Sequence, residues 1–79
     1  MDKTEVKSKV NEIVASVLQV DASSIKATDS PETIDKWTSL FHVLIIDKIE
    51  KEFGISFNFD ELIEIESVND IYNSLENKL

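Results

Sequence analysis

The chain has 79 residues, with 16 acids against 8 bases, a formal charge of −8, 42 % hydrophobic residues and 30 % charged ones. That length holds one domain at most, residues 1–79, and the balance fits a small globule, because a disordered tail carries too few apolar residues to bury. All the bases are lysine, so an acidic surface without arginine makes nucleic acid a poor partner and a cysteine count of 0 rules out disulfides, thiolate metal sites and a thiol nucleophile.

The sole histidine removes most zinc constellations. The longest uninterrupted apolar run is Val43 to Ile46, far short of a membrane span. Met-Asp-Lys-Thr-Glu at the start lacks the basic-then-apolar order of a signal peptide. These features set the expectation of a cytoplasmic, metal-free monomer with no membrane association. A domain this small buries only roughly 60 % of its unfolded surface, leaving little interior for a deep catalytic pocket. Its work is expected on its surface or through something attached to it.

One glycine and one proline are too few for the turns of an all-β fold, so helices are expected. The first helix is predicted from Asp2 to Leu18. Asp2 with Glu5 three residues on has the form of a capping box. Val6, Val10, Ile13, Val14, Val17 and Leu18 recur at helical spacing and give one apolar stripe. Its acids and bases cancel, so the net charge sits in residues 21–79.

Residues 20–37 form a long connection, dense in Ser and Thr and interrupted by Pro31. Connections of this length are uncommon in compact domains and are usually functional or disordered. Ile25, Ile34 and Trp37 are apolar pins, so an ordered loop is expected. Thr38 suits an N-cap, and the second helix is predicted over Ser39–Phe53, ended by Gly54 in the left-handed conformation. An alternating stretch, Ile-Ser-Phe-Asn-Phe, follows. Asn58 or Asp60 caps a short third helix over Asp60–Ile65. Ser67 caps the last helix, whose buried stripe is Val68, Ile71, Tyr72, Leu75 and Leu79. The predicted architecture is all-α: a small antiparallel bundle of three main helices, a short third helix and a long first loop.

The second helix carries two apolar faces. At about 100° per residue, Ile45, Ile46, Ile49 and Phe53 cluster as a core face, with His42 among them. Leu40, Val43 and Leu44 point the other way and share their side with Asp47, Glu50 and Lys51. A helix packed on one side carries one stripe. The second patch either packs under the long loop or docks a partner.

Trp37-Thr38-Ser39-Leu40, followed through helix two by Glu50-Lys51-Glu52-Phe53-Gly54-Ile55, resembles the acyl carrier proteins. Their signature is Asp-Ser-Leu, often preceded by Trp, opening the second helix, then an acid-rich stretch ending in Glu-Phe-Gly-Ile. The resemblance extends over the whole chain. It implies that Ser39 is esterified with 4′-phosphopantetheine by a magnesium-dependent phosphopantetheinyl transferase that uses coenzyme A. It implies a carrier rather than an enzyme, with an acyl or related group held as a thioester on that arm. The family serves fatty-acid and secondary-metabolite biosynthesis.

By the same resemblance, Thr38, Leu40, Val43, Leu44, Asp47 and Glu50 fall where acyl-loading and acyl-using enzymes with basic docking patches bind. Leu62 and Ile65 fall on the short third helix that shelters the arm or its chain. Two departures stand out. Thr38 replaces the family's aspartate and removes a charge presented to the transferase. Glu50-Lys51-Glu52 replaces an all-acid run.

Other readings remain open at this level. Ser39 is a plain helix-start residue if the chain is an unmodified, carrier-like interaction module. Ser39 and His42 lie one turn apart and form an imaginable catalytic pair, without an evident oxyanion site or orienting acid. A helix-edge histidine satisfied by a backbone or loop partner is the simpler expectation. Trp37 reads as a packing anchor. The acids Asp60, Glu61, Glu64, Glu66 and Asp70 read as a solvated face, with no calcium-loop pattern.

Overall fold

Among the described residues, four α-helices follow in chain order: α1 (Lys3–Leu18), α2 (Ser39–Phe53), α3 (Phe59–Glu64) and α4 (Val68–Lys78). A single 3-10 turn, Ala22–Ser24, lies in the long first connection. The computed structural model describes residues 2–79, and among the described residues there is no strand. The all-α bundle expected from the scarcity of glycine and proline is the architecture observed.

Each helix starts on a side chain that accepts an otherwise open first-turn N–H. At α1 the Asp2 carboxylate accepts from the Glu5 N–H at 2.8 Å. The reciprocal half of the expected box is missing: among the described residues no bond returns from the Glu5 side chain. The complete box sits at α3 instead, where Asn58 Oδ1 accepts from the Glu61 N–H and Glu61 Oε1 accepts from the Asn58 N–H. With Asn58 as the cap, α3 begins one residue earlier than expected and ends at Glu64. Ile65 is therefore its C-cap and lies outside the helix.

Helix α1 packs against both α2 and α4. Val10, Val14 and Leu18 of α1, Ile45 and Ile49 of α2, and Val68, Ile71 and Leu75 of α4 are fully buried. Ile25, Trp37, Phe57 and Ile65 add to the same cluster from the connections. Burying a side chain of the Leu or Ile class contributes roughly 1.5–3 kcal/mol, so these aliphatic residues dominate the favourable side of folding. Tyr72 is buried among them, and its hydroxyl donates to Asn11 Oδ1. Burial pushes the Tyr72 phenol up from its ordinary value.

Leu79 departs from the expected stripe of α4. It is 60 % exposed, because the helix ends at Lys78 and the chain has passed its last packing partner.

The long first connection is ordered, as its apolar pins predict. Asp29 accepts from the Lys26 N–H and from the Thr33 hydroxyl, tying the loop to itself. The loop also closes the start of α4. The Asp29 carbonyl accepts from the Val68 N–H and the Ala27 carbonyl from the Asn69 N–H, both at 2.9 Å. Two first-turn donors of α4 that a side-chain cap leaves open are satisfied this way. The result brings the loop, the start of α2 and the α3–α4 junction to one side of the bundle.

Candidate functional site

Ser39 is the first residue of α2. Its predecessor Thr38 has extended backbone (φ −85°, ψ 173°), and the Thr38 hydroxyl accepts from the Phe41 N–H at 3.3 Å. The Ser39 side chain is exposed. No acid occupies the first turn of α2. The positive end of the helix dipole and the remaining first-turn N–H groups therefore have no acid of their own first turn against them, an arrangement that favours an anion.

Ser39 stands at the edge of an open cleft of about 1180 Å³. Thr28 and Ser30 of the loop, Phe59 and Ile63 of α3, and Ile65 and Ser67 of the α3–α4 junction contribute to its walls. Trp37, Thr38, His42 and Val43 complete the α2 side. A second, smaller depression of about 210 Å³ lies between α2 and α3, lined by His42, Val43, Ile46, Asp47, Glu50 and Leu62.

Trp37, a packing anchor as expected, is 2 % exposed. Its indole Nε1–H donates to His42 Nδ1 at 3.0 Å, and the two rings lie within 25° of parallel with centroids 5.9 Å apart. Burial holds the His42 imidazole below its ordinary value of 6.5. The loop partner expected for this histidine is thus the indole of Trp37. An Nδ1 that accepts leaves the proton of the neutral ring on Nε2. The basic nitrogen is committed to Trp37, and no hydrogen bond links His42 to Ser39 among the described residues.

The expected docking residues separate into two groups. Leu40 and Val43 are 66 % and 64 % exposed and Leu44 is 41 % exposed, so they do not pack under the loop. The acids beside them have partners. Asp47 pairs with Lys51 one turn on, at 3.0 Å. Glu50 Oε2 accepts from the Phe57 N–H at 2.7 Å, tying α2 to the α2–α3 connection. Of the two shelter residues, Ile65 lines the large cleft as a buried core member and Leu62 lines the small depression, half-buried.

The sequence reading missed Phe59 and Ile63. Both are exposed apolar residues one turn apart on α3 and both line the cleft. Their i, i+4 spacing was the available signal, but it appears only once Phe59 is assigned to α3 rather than to the alternating stretch before it. Among the described residues, no group of three His, Asp or Glu side chains is placed to hold a metal ion. Among the described residues, no helix is long and apolar enough to cross a membrane.

Residues 8–75 match the family model described as a phosphopantetheine attachment site. The chain belongs to the acyl carrier protein family. The carrier is 30 % identical over 79 residues to the acyl carrier protein of Thermosynechococcus vestitus, spanning 100 % of this chain and 98 % of that one. Its fold is similar to that of a solved candidate acyl carrier protein from Mycobacterium tuberculosis. The TM-score is 0.84 and the identity 24 %, with 94 % of this chain and 99 % of the other covered. The family's group is 4′-phosphopantetheine, and the residues around Ser39 fit it: an exposed hydroxyl, an acid-free helix start for a phosphodiester, and an adjoining cleft.

Proposed function

We propose that residues 1–79 form one carrier domain in which Ser39 Oγ is the attachment atom for 4′-phosphopantetheine, and that the domain presents acyl or related cargo to partner enzymes. The observation that carries this reading is the exposed Ser39 at the first position of α2, on the edge of a cleft, in a chain of this family. The arm supplies a terminal thiol on which cargo is held as a thioester, a group that the cysteine-free chain lacks.

The chain's own residues do the rest. The open N–H groups and dipole of α2 stabilise the negative charge of the phosphodiester at Ser39. Thr38 fixes the helix start and hence the direction of the Ser39 hydroxyl. Leu40, Val43 and Leu44 form an apolar docking edge, with Asp47 and Glu50 beside it. Ile65 and Leu62 shelter the arm or its chain. Tethering raises the effective concentration of cargo at a docked partner's active site. The partners are a phosphopantetheinyl transferase and acyl-loading and acyl-using enzymes with basic docking patches, and the carrier acts as a cytoplasmic monomer. The reading is of a carrier rather than an enzyme: Nδ1 of His42, the candidate base one turn from Ser39, is held by the Trp37 indole.

One observation favours a second reading, an unmodified interaction module: Thr38 stands where the family has an aspartate. Incubation with coenzyme A, magnesium and a permissive transferase separates the two. The carrier reading expects a mass gain of one phosphopantetheine, absent in Ser39→Ala. No gain with several transferases supports the module.

A further inference from the structure

His42 and Val43 border both depressions on this side of the bundle: the cleft beside Ser39 and the smaller one between α2 and α3. They are the two residues common to both linings and so mark the boundary between them. Val43 is β-branched and holds one preferred rotamer in a helix, so the imidazole is the part of that boundary able to move. It is restrained by Trp37 through the 3.0 Å hydrogen bond, which joins the two rings edge to edge with their planes 25° apart. Trp37 is itself buried in the core and cannot follow a displaced ring.

We propose that the Trp37–His42 hydrogen bond is a latch between the two depressions that limits how far a chain tethered at Ser39, arm included, reaches from the large cleft into the small one. The proposal rests on the carrier reading for its biological sense. A short chain lies in the large cleft against Val43, Phe59 and Ile63. A longer chain reaches the boundary. Beyond it Ile46 and Leu62 offer apolar contact. Reaching them requires swinging His42 aside, which strands the buried indole N–H without an acceptor. That penalty exceeds what one or two added methylenes regain, so the preference sets in as a threshold in length.

The sequence has no native cysteine, so Ser39→Cys gives a unique attachment point that needs no transferase. Alkyl methanethiosulfonates from propyl to dodecyl are coupled to it and the melting temperature of each product is recorded. With His42 intact, melting temperature rises over the short chains and then levels off. In His42→Ala the rise continues into the longer chains, by a few degrees for each further methylene buried. His42→Gln keeps an acceptor for the indole and restores the plateau. Trp37→Phe removes the donor while keeping an aromatic ring, and it follows His42→Ala; it carries the comparison if His42→Ala does not fold. The same length profile in all of these backgrounds overturns the latch. Failure of coenzyme A to load native Ser39, with the length profiles as expected, overturns the carrier reading and leaves the latch as a property of the cleft.

Discussion

Glu50 Oε2 accepts a hydrogen bond from the Phe57 N–H at 2.7 Å, so a residue expected on the docking face also holds the α2–α3 connection in place. Phe57 is buried, and its N–H loses this partly buried acceptor if the carboxylate is removed. Glu50→Ala is expected to cost about 1–2 kcal/mol, read as a lower urea midpoint with unchanged slope. Glu50→Gln retains an acceptor and is expected to lose less. A docking defect in Glu50→Ala therefore has to be compared with Glu50→Gln before it is ascribed to charge.

Leu44 is the contrasting case. It is 41 % exposed and lies outside the core cluster and the residues packed against it. Leu44→Glu is expected to keep native helicity and stability within about 0.5 kcal/mol. Use by a partner enzyme is expected to fall about tenfold, as for an apolar contact at the centre of an interface. Loss of the circular-dichroism signal would make Leu44 a core residue and end its docking role.

Asp47 is masked by Lys51 across one helical turn. Lys51→Gln leaves the carboxylate unpaired and raises the net negative charge of the docking face. Association with a basic partner is expected to speed up at low salt, and the gain is expected to vanish as the Debye length shortens. Stopped-flow association at two ionic strengths measures this directly. An unchanged rate at low salt would remove Asp47 from the steering field.

Acid is expected to loosen the boundary between the two depressions. Burial lowers the His42 value in the folded state below 6.5, so the unfolded chain binds the proton more readily. The stability that His42 contributes is therefore complete above pH 6.5 and is lost as pH falls through the depressed native value. Protonation also removes the Nδ1 lone pair that Trp37 uses. Glu32, Glu66 and Asp70 line the large cleft and Asp47 and Glu50 the small one. Tryptophan fluorescence and melting temperature of the native chain should fall as His42 protonates, while His42→Gln stays flat. Equal pH profiles for the two would contradict this account of the pair.

How legible these features were depends on their range along the chain. The Thr38 cap, the Ser39 start and the Gly54 end of α2 are local, fixed by one side chain and its neighbours, and the sequence displays them. The two faces of α2 follow from helical periodicity, and the exposed Leu40, Val43 and Leu44 lie where the wheel puts them. The bonds that shape the site do not follow a helical period. Trp37 to His42 spans the N-cap of α2, and Glu50 to Phe57 spans its C-cap and the following connection. The Asp29 and Ala27 carbonyls that satisfy the start of α4 lie some forty residues upstream in sequence. Leu79 failed for the opposite reason: the periodicity was continued past the point where anything remained to pack against.

The central claim is that Ser39 carries a covalent arm. The direct measurement is the intact mass of the protein isolated from its native cells, with fragmentation to locate any added group. The account predicts a species heavier by one phosphopantetheine, with or without cargo, and the addition on the peptide containing Ser39. A bare polypeptide mass in cells that express every cognate transferase would contradict it.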